Sequence, residues 1–191
     1  MRYTFHSNEQ PKTENQPGLE HLRQDVDMGE WRISEDRLAT YGASTCIVLA
    51  AHNSETGKGL LGHFSSISER ESGNFRHGEE FRQSIDALSQ LGEHQHNSIW
   101  LGAGKPLIVD GIDTVMPDRK LAQRAILGYL DEHGTPIEQV KVVWSAPQRV
   151  MDVELNCLTG RLDVYDYPEI TLSSLLGALK EALSRDDLSA G

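Results

Sequence analysis

Apolar positions along the chain follow two different periods. The run Cys46-Ile47-Val48-Leu49-Ala50-Ala51 is apolar throughout, and apolar residues return after a polar stretch from Asn53 to Gly59 as Gly-Leu-Leu-Gly-His-Phe. Two short apolar runs separated by a polar, glycine-containing loop predict a β-hairpin. The polar stretch that follows it, "SISERESGNFRHG", reads as a loop able to act as a flap. Further on, Phe81, Ile85, Leu88 and Leu91 recur at helical spacing up to a stop at Gly92.

The remaining pattern continues this mixture. "SIWLGAGKPLIVDG" predicts a strand, a glycine-rich turn and a second short extended piece. In "PDRKLAQRAILGYLDEHG" the residues Leu121, Ala122, Ala125, Ile126, Tyr129 and Leu130 form one helical stripe. Pro117 suits its first turn and Gly134 its end. "QVKVVWSA" predicts a strand, and "VMDVELNCLTGRLDVYDY" a hairpin turning near Leu158-Thr159-Gly160. Leu172, Leu175, Leu176, Leu179 and Leu183 predict a last amphipathic helix. Hairpins interspersed with helices argue for an α+β fold with mixed or antiparallel sheets. Residues 1–27 are rich in Asn, Gln, Glu and Pro and read as a flexible polar arm, which leaves 28–191 as one domain.

Composition narrows the functions. Acidic residues outnumber basic ones 29 to 18, a formal charge of -11. That field repels phosphate backbones and argues against a nucleic-acid partner. No apolar run has membrane-spanning length, and the N-terminus lacks the apolar core of a secretory signal. A cytoplasmic location follows as the expectation. The 2 cysteines, Cys46 and Cys157, form no metal-type cluster and are expected as reduced thiols.

Cys46 follows the turn Gly42-Ala43-Ser44-Thr45. A nucleophile presented after such a turn has backbone N–H groups nearby, its own among them, to hold an oxyanion. A hairpin loop centred near Glu55 sets His63 nearly opposite Cys46, so register alone brings an imidazole to the sulfur. Thr40 can orient that imidazole. This nucleophile, base and orienting group need no metal and no cofactor. For Cys157 the reading is a packed residue, since nothing near it in sequence supplies a base. His94 and His96 offer two ligands, which make no metal site, and "GAG" at Gly102–Gly104 is too short for a dinucleotide fingerprint.

"TYGASTC" followed by "GHF" resembles the chemoreceptor glutamine deamidase (CheD) family. That signature has a threonine, a short turn, a cysteine, then strand, loop, strand and histidine. "MGEW" resembles a family segment upstream of that turn, and "IWLGAG", "PDRKLAQRAILGYLDEHG" and "QRVMDVELNCLTGRLDVY" resemble later family segments in the same order. The resemblance implies a sandwich-like fold of β-sheets flanked by helices. It implies that Cys46 attacks a glutamine side-chain amide of a protein, that His63 is the base and that Thr40 holds the imidazole. Ser44 and Thr45 would form the oxyanion turn, and Gly102, Gly104, Arg119 and Arg149 would border the substrate groove, which would lie between the Gly73-containing loop and the catalytic hairpin. Methyl-accepting chemoreceptors and a chemotaxis phosphatase are the partners it implies. Ser44 stands where the family has glycine, so a positive φ is expected there if the turn requires one. Two alternatives stand beside this reading: a deamidase of a non-receptor protein, and a binding protein that kept the scaffold without the reaction.

Overall fold

The structure, a computed structural model, describes residues 1–9, 23–65, 68–71 and 74–169. In chain order the strands are β1 (Arg2–Ser7), β2 (Arg23–Asp25), β3 (Glu30–Ser34), β4 (Arg37–Ala43), β5 (Ile47–Asn53), β6 (Gly59–Phe64), β7 (Ser68–Glu71) and β8 (Asn74–His77). Helix α1 (Glu79–Asp86) continues into a 3-10 turn over Ala87–Leu91, and β9 (Asn97–Ala103), β10 (Ile108–Val109) and β11 (Ile112–Asp113) follow. Helix α2 (Met116–His133), β12 (Val140–Trp144), β13 (Arg149–Asn156) and β14 (Arg161–Pro168) complete the described chain.

Two five-stranded mixed sheets organise these elements, in the orders β1-β14-β13-β4-β2 and β12-β9-β5-β6-β3. The second sheet lies in the middle of three layers. Its residues Ile47, Leu49, Leu60, Phe64, Ile99 and Leu101 pack on Phe81, Leu88, Ala122, Ile126 and Tyr129 from the helical side. Its other face, with Val48, Ala50, Leu61 and Trp100, packs on Leu38, Val153, Leu155, Leu162 and Val164 of the first sheet. Side chains alternate across a strand, so β5, covered on both faces, is apolar on both from Ile47 to Ala51, with the buried polar residues His52 and Asn53 confined to its far end. All seven of its residues are buried. The fold is α+β, two stacked sheets with helices on one outer face.

Helix α2 begins with Pro117 in its first turn and ends at Gly134, whose φ of 61° is the left-handed cap that glycine adopts without strain. The late hairpin turns over Cys157–Gly160 between β13 and β14, as its pattern predicts. Three expectations need correction. Residues 1–27 are not all a flexible arm: β1 pairs in parallel with β14, β2 pairs with β4, and Val26 is buried. The stretch expected as a flap holds the antiparallel pair β7–β8. The hairpin register is also displaced, with Val48 rather than Cys46 opposite His63. The expected C-terminal helix and Gly73 lie outside the described residues.

Candidate active site at the Cys46 end of the interlayer

Cys46 sits just before β5, at one end of the space between the two sheets. The displaced register keeps the predicted chemistry together. Residues 46 and 48 share a face of β5, and Val48 opposes His63, so Cys46 and His63 are diagonal neighbours facing the first sheet. Thr40 projects from β4 of that sheet into the same space. All three are buried, at 8% exposure for Cys46, 4% for His63 and 1% for Thr40.

One hydrogen-bond chain sets the state of His63. The Thr40 hydroxyl donates to the Val26 carbonyl at 2.8 Å, and Thr40 Oγ1 lies 2.7 Å from His63 Nδ1. A hydroxyl has one proton, and the carbonyl can only accept. Thr40 Oγ1 therefore accepts from Nδ1–H, and the lone pair of the neutral ring is on Nε2. Nε2 is buried with no hydrogen-bond partner among the described residues. Thr40 thus fixes both the tautomer and the orientation of a free imidazole nitrogen.

The thiol is covered. Cys46 Sγ lies 3.8 Å from Met28 Sδ, and Met28 itself is 61% exposed. Met28 belongs to a tight turn, Asp27–Glu30, closed by Glu30 N–H donating to the Asp27 carbonyl at 3.1 Å. Gly29 N–H ties that turn to the His63 carbonyl at 2.7 Å. Burial pushes the Cys46 thiol above its ordinary value, partly offset by the backbone N–H groups of Cys46 and Ser44 near the sulfur. Burial likewise lowers His63, with the Asp27 carboxylate opposing the shift. Both shifts favour a neutral thiol beside a neutral imidazole rather than a thiolate–imidazolium pair.

The turn before Cys46 is built differently from the expectation. Ser44 has no positive φ; the left-handed residue is Gly42, at 70°. Opposite β13 the register slips between Met151 and Val153, so Tyr41 and Gly42 together face Asp152 in a β-bulge. Asp152 is buried; its carboxylate accepts from Gly42 N–H at 2.7 Å and from the Tyr167 hydroxyl at 3.0 Å. Its pKa is raised by burial, against the pull of those two donors. Bulges re-aim the residues that follow them, and this one leads the chain into Ala43, Ser44, Thr45 and Cys46.

The segment after β9 closes the other side. Gly104 N–H donates to the Cys46 carbonyl at 2.6 Å and Lys105 N–H to the Ser44 carbonyl at 2.8 Å. Ala103 and Gly104 are both left-handed, at 62° and 58°. A Cβ on Gly104 would stand 2.7 Å from Ile47 Cδ1 and 3.3 Å from Arg119 Cγ, so only glycine fits there. Arg119 is thereby brought to the site, its guanidinium paired with Asp113. Gly102 is structural: a Cβ there would strike the Trp100 ring at 2.1 Å. Arg149 is held by Asp166, 2.8 Å away, and by Asn8 at 3.0 Å. It closes the sheet edge rather than joining Cys46. Met28, Asp152 and Lys105, whose ammonium pairs with Glu169, were not singled out from the sequence. Gly42 was the available signal for the bulge.

Two other clusters stand apart from this end. Ligand atoms of Glu55, Glu93 and His96 lie within 4.8 Å of one another near the far end of β5. His94 is engaged instead with the Tyr129 hydroxyl at 2.5 Å. Among the described residues no helix is long and apolar enough to cross a membrane.

No family model and no curated protein matches the chain. Among solved structures, the Bacillus licheniformis hypothetical protein YfiH aligns with 13% identity over 59% of this chain, at a TM-score of 0.35. The chain spans about half of that protein, 49% of its length.

Proposed function

We propose that the protein is a cytoplasmic cysteine amidohydrolase that converts a glutamine side chain of another protein to glutamate. The observation that carries this reading is the Thr40–His63 hydrogen bond, which leaves a buried, unpartnered Nε2 on the face that Cys46 shares. A methyl-accepting chemoreceptor is the substrate implied by the resemblance of the Cys46 segment to the chemoreceptor deamidases. A chemotaxis phosphatase is the corresponding partner.

The raised thiol and lowered imidazole specify how the reaction begins. His63 Nε2 takes the Sγ proton as the sulfur attacks the amide carbon, rather than starting from a preformed ion pair. The N–H groups of Cys46 and Ser44 face the developing oxyanion. As the C–N bond breaks, Nε2–H protonates the leaving nitrogen and ammonia departs, leaving a thioester on Cys46. Water then gives its proton to Nε2 and attacks the thioester. The C–S bond breaks, the proton returns to Sγ, and glutamate is released. Water is the only co-reactant.

Incubating the full-length protein with a bacterial protein extract and scanning peptides by mass for amide-to-acid conversion tests this reading. Site-specific conversions with wild type, absent with Cys46→Ala, are the expected result. Conversions equal in both samples, or none, would leave the second reading, a binding scaffold. Its support is the covered, high-pKa thiol.

A further inference from the structure

The segment after the Cys46-binding turn exposes more large apolar side chains than any other stretch of its length among the described residues. Leu107, Ile108, Val109, Ile112 and Met116 are between 40% and 67% exposed, five large hydrophobics in one short hairpin and the helix start behind it. Val109 and Ile112 face each other across the β10–β11 pair and share a face. Clustered exposure of this kind marks an interaction surface, whereas scattered single residues do not.

The patch is held in a defined shape. Asp110 and Gly111, with φ of 49° and 78°, make the two-residue turn with two left-handed residues that suits a hairpin. The Thr114 N–H and hydroxyl both donate to the Leu107 carbonyl, at 2.9 and 3.1 Å. Asp113 accepts from Val115 N–H at 3.0 Å and pairs with Arg119, whose aliphatic part packs at Gly104. Gly104 in turn bonds the Cys46 carbonyl. A short chain of contacts therefore links the apolar hairpin to the nucleophile.

We infer that the β10–β11 hairpin is the docking surface for the protein substrate of the Cys46 site, and that its occupant is the apolar face of an amphipathic helix. The inference rests on the amidohydrolase reading for what happens after docking, but not for docking itself. Area argues for this occupant: the five side chains leave on the order of 500 Å² exposed, the size of a functional patch. A stable second copy of the chain would need about 800 Å² on each partner. The formal charge of -11 repels an anionic membrane surface. The Leu107 carbonyl already accepts two hydrogen bonds, and the strands are two residues each. With strands this short, edge pairing contributes little, and exposed side chains dominate what the hairpin offers a partner. A helix, whose own backbone is satisfied, is the partner that needs only side chains.

The test uses full-length protein and a fluorescent amphipathic peptide of about 20 residues, long enough to be helical, with a glutamine beside a leucine stripe. A scrambled peptide of the same composition is the control, and binding is read by anisotropy. Wild type and Cys46→Ala are expected to prefer the amphipathic peptide by about tenfold or more, and Ile112→Asp and Val109→Asp to lose that preference. Iodoacetamide alkylation of Cys46 should proceed equally in wild type and both hairpin variants, which shows that the fold and thiol are intact. No preference in wild type, or one that survives both hairpin substitutions, overturns the inference. So does a wild-type dimer that Ile112→Asp converts to monomer, or hairpin-dependent binding to phosphatidylcholine vesicles without peptide preference. Peptide binding without any glutamine conversion would sink the amidohydrolase reading and leave the docking surface standing. Conversion indifferent to the hairpin would do the reverse.

Discussion

Cys46 and Cys157 belong to the same core between the two sheets, and each has a histidine beside it, yet the two ends of that core differ in what their sulfur can do. At the Cys157 end, His52 Nε2–H donates to the Cys157 backbone carbonyl at 2.8 Å, so this histidine secures the chain rather than the thiol. Cys157 is fully buried and its thiol is pushed up to about 12 by burial, with the Asp36 charge adding to the shift. Its sulfur also fills the space above Gly59, where a Cβ would stand 2.5 Å from Sγ. At the Cys46 end Nε2 of His63 is buried without a partner among the described residues, and Thr40 rather than a carbonyl holds the ring through Nδ1. The lesson is that a cysteine next to a histidine is common packing. The two ends differ in which ring nitrogen is left without a partner among the described residues, Nδ1 of His52 and Nε2 of His63.

The sharpest way to break that comparison is to remove each histidine. His63→Ala is expected to lower glutamine conversion by about 10²–10⁴, the usual contribution of a general base. His52→Ala should leave the rate per folded molecule at the wild-type level while lowering thermal stability. Thr40→Val keeps the shape of the side chain but cannot accept from Nδ1–H. Loss of one such hydrogen bond predicts about a tenfold decrease. Equal rate losses from His63→Ala and His52→Ala would mean that both histidines act through the fold alone.

A second contrast concerns packing. Gly59→Ala would press a methyl against Cys157 Sγ at 2.5 Å and Leu155 Cδ2 at 2.7 Å. Overpacking of this kind costs about 1–3 kcal/mol, read from urea denaturation. Adding Cys157→Ala removes the nearer atom and should recover part of the loss, since Leu155 still intrudes. If the double variant is no more stable than Gly59→Ala, the sulfur is not what the glycine accommodates.

The sequence made the β5–β6 hairpin, both helices and the β13–β14 hairpin legible because each buries a regular apolar face. β1 was not legible, since it lies at a sheet edge where Arg2, Phe5 and Ser7 are exposed and Tyr3, Thr4 and His6 are only half-buried. Edge strands carry little periodic signal, and propensity then reads them as polar coil. Of the candidate site, the three residues Cys46, His63 and Thr40 could be named from the sequence and lie buried at one end of the interlayer, but the register between Cys46 and His63 was displaced by two. That displacement arose because the pairing centres between Glu55 and Thr56, one position further along the chain than a Cys46–His63 pair requires, and a shift of two preserves the face. Asp152 could not be found from spacing: it meets Gly42 across 110 residues of chain. Met28 was visible only as the first residue of "MGEW", with nothing in one dimension to say that it lies on a sulfur.

Met28 gives the smallest and most discriminating contrast, since among the described residues no exposed side chain is seen against the Cys157 sulfur as Met28 is against that of Cys46. Wild-type Cys46 should alkylate slowly at neutral pH, with a rate that rises above the ordinary thiol range of about 8.5, because burial disfavours the thiolate. Met28→Ala opens the sulfur to water, removes part of that burial and shifts the profile toward lower pH. The expected gain at pH 8 is severalfold, since only part of the burial that disfavours the thiolate is relieved. Cys157, with a thiol at about 12, should stay unmodified in both proteins across the same range. An apparent Cys46 pKa well below 8.5 in wild type would mean that His63 is charged beside a thiolate, and the neutral-pair mechanism would have to be abandoned. Identical profiles for wild type and Met28→Ala would show that substrate reaches the thiol from another side, leaving Met28 as packing and the Asp27–Glu30 turn as part of the wall.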